Sequence, residues 1–129
     1  MGLRFQPHGS CSYCTQQNII TIEAEGPWNL EFFVKMHNDL KQIIVDRVDF
    51  NDYKILVLFK GEACASQDGF DYHLKAVKLG NARAIACSLE HCDNPIVTKA
   101  LFEKVYNDAS LVNRFFLDSS EALQWLEAY

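Results

Sequence analysis

Apolar positions along the chain follow two periods in alternation. Residues 19–24 (Ile-Ile-Thr-Ile-Glu-Ala) are a β-branched run and predict a strand. Upstream, residues 9–15 alternate imperfectly and predict an edge strand, with residues 4–7 extended before it. Gln16-Gln17-Asn18 is a polar turn between the two, short enough to demand an antiparallel hairpin. Gly26-Pro27 ends the second strand. Phe33, Met36, Leu40, Ile43 and Ile44 then recur at helical spacing, predicting a helix from near Asn29, its cap, to residues 45–47. Leu30 and Val48 extend the stripe. Phe32 and Val34 fall off it, and as an exposed pair they would form an apolar patch.

Asn51-Asp52 is a turn, and residues 55–59 (Ile-Leu-Val-Leu-Phe) are a continuous apolar run. Such a run predicts a central strand covered on both faces. A polar loop ending Ser66-Gln67-Asp68-Gly69 leads to a helix from near Phe70, with Asp68 as its cap and Phe70, Leu74 and Val77 inward. Gly80 is placed to end it. Residues 82–89 predict the next strand. Asp93-Asn94-Pro95 starts a third helix with Val97, Leu101, Phe102 and Val105 as its inner stripe. Residues 114–117 are a short strand, and Asp118-Ser119-Ser120-Glu121 is a capping-box opening for a last helix held by Leu123, Leu126 and Trp125. The fold class is α/β: an N-terminal β-hairpin, then alternating helices and strands, giving a mixed, mostly parallel sheet flanked by about four helices.

Composition narrows this picture. The chain has 129 residues, one domain's worth, with 49% hydrophobic residues. Residues 1–8 are expected to be loose or disordered. The formal net charge is -5, with Lys and Arg scattered, which argues against nucleic acid as a partner. No run approaches the roughly 20 apolar residues of a membrane span, and residues 1–10 lack signal-peptide order. A cytoplasmic protein with reduced thiols and no membrane insertion is the expectation.

Candidate chemistry is sparse. Cys11 and Cys14 form a Cys-x-x-Cys pair, a spacing used by redox dithiols and by half-sites for zinc. On a strand, however, positions three apart point to opposite faces. His91 and Cys92 lie where a strand ends before a helix and could serve as base and nucleophile, but adjacent residues rarely face one another. Glu62, Asp68 and Asp71 surround the central loop and could do acid–base work or hold a cation, but they lack the placement directly at strand ends that a doubly wound response-regulator site would want. No phosphate-binding glycine loop or nucleophile elbow is present. No catalytic residue, metal site or cofactor is assigned.

With these residues in place, the chain resembles the STAS, or SpoIIAA-like, family of bacterial anti-sigma-factor antagonists. Residues 55–79, with Gly69 and the apolar helix after it, look like that family's switch region. The run Phe115-Phe116-Leu117-Asp118-Ser119-Ser120-Glu121-Ala122-Leu123-Gln124-Trp125-Leu126 looks like its closing strand and helix. Phospho-regulated members carry Asp-Ser-Ser-Gly where this chain has Ser66-Gln67-Asp68-Gly69, so Gln67 stands at the phospho-acceptor position and Ser66 is a hydroxyl one place away. The resemblance implies a non-catalytic regulatory module. It would meet a protein partner through Glu62, Ser66, Gln67, Asp68, Gly69, Phe70 and Asp71, or a second copy in a homodimer through a sheet edge or helix face. Relatives outside the switch resemble lipid carriers, and the alternative is a binder of an apolar or lipid-like small molecule at Phe32, Phe33 and Phe70.

Overall fold

In the computed structural model, which describes residues 5–129, the chain enters its sheet through the hairpin. Strand β1 (Ser10–Gln16) pairs antiparallel with β2 (Ile19–Glu25), Gln16 opposite Ile19. Gln17 and Asn18 between them both take positive φ, 50° and 62°, as a two-residue primed turn requires. The turn is also anchored from outside, since the Asn18 side chain accepts from the Asp49 amide.

Helix α1 (Leu30–Arg47), strand β3 (Lys54–Gly61), helix α2 (Gln67–Leu79), strand β4 (Ile85–Cys92), helix α3 (Pro95–Asp108), strand β5 (Asn113–Phe116) and helix α4 (Ser119–Ala128) follow. The strands lie in sequence order, β1-β2-β3-β4-β5, and all pairs after the first are parallel. Strand order that advances in one direction through right-handed crossovers puts every connecting helix on the same face. Accordingly α1, α2 and α3 share one face, over Ile20, Ile22, Ile55, Val57, Phe59, Ile85 and Cys87. Helix α4 follows the last strand and is free of that constraint. It packs on the other face, where Ala122 and Leu126 meet Ile19, Leu56, Ala84 and Ala86.

The two layers differ in spacing. Small residues at the α4 contact let that helix lie close to the strands, and α3 also approaches β4 and β5. In contrast, no Cα of α1 or α2 comes within 8 Å of a Cα of β2, β3 or β4. Those two helices lean on each other, propped above the sheet by large side chains.

Several helix details depart from expectation. The cap of α2 is Ser66, whose Oγ accepts from the Gly69 amide, and Asp68 instead accepts from the Ser66 hydroxyl. Asn94 precedes α3 without capping it; its Oδ1 accepts from the Ala63 amide 3.1 Å away. On α3 the inner stripe is Thr98, Phe102, Val105 and Tyr106, while Val97 and Leu101 are exposed. Leu123 remains 37% exposed, and Ala122 takes the inner position. The caps at Asn29 and Asp118 stand as expected, accepting from Phe32 and Glu121 amides at 3.0 Å. Of the residues expected to be loose, 1–4 lie outside the described residues. Gln6 and His8 are tied by hydrogen bonds to the Asn29 side chain. Among the described residues no helix is long and apolar enough to cross a membrane.

Candidate functional site

The space under α1 and α2 is a cavity of about 640 Å³, within the size range of small-molecule sites. Its walls are the inward side chains of both helices and of β2, β3 and β4, among them Ile22, Phe33, Met36, Val57 and Ile85. The closed end lies under the first turn of α1. There Trp28 stacks on Phe32 with centroids 5.6 Å apart and meets Phe59 and Phe102 edgewise or tilted at 6.0 Å. The Trp28 indole N–H is buried and has no hydrogen-bond partner among the described residues. Gly69 helps seal this end, because a Cβ there would stand 3.1 Å from the Phe33 ring.

The other end is open. Val45, Phe50 and Leu79 line it while remaining 77%, 59% and 89% exposed. This mouth lies at the C-terminal ends of α1 and α2. Its rim is held in place: Asn81 donates to the Phe50 carbonyl and, through its amide, to the Tyr53 hydroxyl, and Arg83 pairs with Asp52 at 2.8 Å.

One polar chain crosses the apolar wall. His37 Nε2 lies 2.7 Å from His73 Nδ1, and His73 Nε2 lies 3.2 Å from the Tyr106 hydroxyl. All three are buried. Burial, with Lys41 adding to it, pushes the His37 imidazole down to about 4. Burial, and then His37, holds His73 well below its ordinary value. Both rings are therefore neutral near pH 7, and a neutral imidazole donates from one nitrogen only. The chain must run in a single direction. Either Tyr106 donates to His73 and His73 to His37, or every donor is reversed. In each case one terminal hydrogen-bonding position is left at His37 Nδ1.

The residues singled out in the sequence are distributed as follows. Phe32 and Phe33 both line the cavity, but Phe70 does not; it packs edgewise on Phe102 at 5.1 Å. Phe32 and Val34 form no exposed apolar patch: the helix is buried over a wider face, with Phe32 on Trp28 and Val34 half-buried. Glu62, Ser66, Gln67, Asp68 and Asp71 are exposed around the N-terminus of α2. Gly69 is buried against Phe33 and is no part of that surface. Gln67 donates to Asp71 at 2.9 Å, one turn along. This acidic surface and the cavity mouth are at opposite ends of α2.

Cys11 is half-buried and Cys14 exposed, on opposite faces of β1. His91 is exposed beside Glu90, whereas the Cys92 thiol turns inward to Thr98 Oγ1 at 3.2 Å, so the two do not converge. Among the described residues no cluster of three or more His, Cys, Asp or Glu could hold a metal ion.

Comparison with known proteins decides the fold. No protein-family model matches the chain, and no curated protein sequence does. The structure is similar to the crystal structure of an uncharacterised DUF3478-family protein with a SpoIIAA-like fold from Shewanella loihica PV-4. The TM-score is 0.66 at 14% identity, over 98% of each chain. This chain has a SpoIIAA-like fold. Within that SpoIIAA-like fold, the feature the sequence reading passed over is the His37–His73–Tyr106 chain. A signal was available: His37 is four residues after Phe33, and His73 lies three after Phe70, so both sit on apolar stripes. A stripe does not say, however, that the two histidines meet across the helices.

Proposed function

We propose that this chain is a non-catalytic binding domain that holds an apolar small molecule in the cavity between α1, α2 and the sheet. The single observation that carries the reading is the cavity itself: about 640 Å³, open to solvent at one end, walled by apolar side chains. A packed core leaves few voids larger than a water molecule. Here two helices instead stand off the strands while the third lies closer. The buried His37–His73–Tyr106 chain adds a few polar positions to the wall, the usual makeup of a site that orients a mostly apolar ligand.

The test is binding of the uncharged fluorophore Nile red. The expected result is saturable binding with enhanced, blue-shifted emission, lost in Val57→Phe, which places a ring in the cavity from the central strand. Unchanged thermal stability of that variant keeps the comparison clean. Absence of saturable binding in the parent chain, or full binding by a folded Val57→Phe, overturns the reading.

A second reading, a protein-interaction module, draws on a different surface. The exposed side chains of Ile96, Val97 and Leu101 on α3 lie on the helix that holds the Ala63 loop, next to the exposed Glu62. Reversing charge at Glu62 and Asp71 would abolish capture of such a partner while leaving the fold intact; capture unaffected by both reversals counts against that surface.

A further inference from the structure

The charges around the cavity do not mirror those of the chain. The protein carries 17 acidic and 12 basic residues, yet the cavity lining contains Lys41, Lys75 and Lys78 and not one Asp or Glu. All three lysines are exposed and belong to the half of the cavity nearest the mouth. None of them forms an ion pair among the described residues. Carboxylates nearby on α1, on α2 and in the loop before β3 are engaged elsewhere: Asp39 with Lys35, Asp46 with Gln42, Asp71 with Gln67 and Asp52 with Arg83. Basic residues in a last helical turn do complement the helix dipole, and Lys78 meets that need for α2. Lys41 and Lys75 lie before the last turns of their helices, so the dipole does not account for them.

Shape adds a second constraint. The lining runs along α1 from Phe32 to Val45, a span of about 20 Å at the helical rise. It begins in a cluster of aromatic rings and ends in a mouth of exposed apolar side chains, with Lys41, Lys75 and Lys78 in the lining of that half. Such a space is long, apolar at depth and positive at its opening.

Resting on the binding role proposed above, we propose that the ligand is a single-chain amphipathic anion, in its simplest form a long-chain carboxylate. The hydrocarbon chain lies along α1 toward Trp28, and the carboxylate stays at the mouth among Lys41, Lys75 and Lys78. The anion is placed there and not at depth because the lysines keep it partly in water, whereas burying it among neutral imidazoles would strip its hydration. The lysine stems cover apolar surface while their ammonium groups reach the head.

The test compares two probes that share a chain and differ in charge: cis-parinarate and its methyl ester, titrated by fluorescence. The parent chain should bind the carboxylate more tightly than the ester, with an affinity that falls as salt is raised. The triple variant Lys41→Gln, Lys75→Gln, Lys78→Gln should weaken the carboxylate about tenfold relative to the ester, as three exposed charge contacts imply. Because the three side chains are exposed, the melting temperature should stay close to the parent's. Equal affinity for both probes, or a triple variant that binds the carboxylate as well as the parent, overturns the anion assignment while the binding role stands. If neither probe nor Nile red binds, both fall together.

Discussion

Acidification should loosen this domain through its buried imidazoles, His37 foremost. His37 titrates near about 4 in the folded chain against an ordinary value of 6.5. Between those values the unfolded chain holds a proton that the folded chain rejects, so stability falls as pH drops. It is essentially unaffected above about pH 7, begins to decline through 6.5 and levels off below about 4. Each pH unit inside that window is worth about 1.4 kcal/mol. Between pH 7 and pH 5 the loss from His37 alone comes to about 2 kcal/mol. His73, held down by burial beside it, acts in the same direction. Urea unfolding followed by tryptophan fluorescence at pH 7, 6 and 5 measures the slope. The comparison that isolates the ring is His37→Gln, which does not titrate and still presents an amide to His73. The variant's stability should fall with acid by about 2 kcal/mol less than the parent's. Parallel pH profiles for the two proteins would refute the claim that His37 is buried neutral beside His73.

The other expectations concern stability at neutral pH. Ser66→Ala should cost about 1 kcal/mol, the loss of an N-cap, whereas Ser66→Asp should retain most of it because a carboxylate caps equally well; equal melting temperatures for parent and Ser66→Ala would argue against the cap. Leu126→Ala should cost roughly 2–5 kcal/mol, since Leu126 is fully buried and joins α4 to the sheet; denaturant titration reads this directly. Tyr106→Phe removes one end of the buried polar chain and should cost about 1–3 kcal/mol, because His73 Nε2 is left without a partner; chemical denaturation with no measurable change would mean that the bond contributes nothing.

Much of the architecture follows from local pattern. The strand at residues 55–59 read as central because it is apolar at every position, and the topology places it third of five. Asn29 and Asp118 announced their helices because capping is settled within four residues. Where two capping side chains competed, local pattern failed. Ser66 and Asp68 are two apart and both are capping residue types; the helix starts at the earlier one, where Ser66 Oγ accepts from the Gly69 amide. On α3, Val97 and Leu101 match the inner stripe as well as Thr98 does. The tertiary structure turned Thr98 inward because its hydroxyl donates to the Ala63 carbonyl at 3.0 Å.

By itself, the sequence determined the order of strands and helices, the hairpin, the mostly parallel sheet and the central place of the strand at residues 55–59. Those properties depend on period and on turn residues, both of which act over a few positions. Only the tertiary structure decided the cavity, its lysine-rimmed mouth and the pairing of His37 with His73. A hydrophobic stripe records that a helix faces inward, but not how far it stands from the sheet. That distance comes from side chains on several elements meeting at once. Around α4, alanines bring helix and sheet together; under α1 and α2, aromatic rings at one end hold them apart and leave the space between.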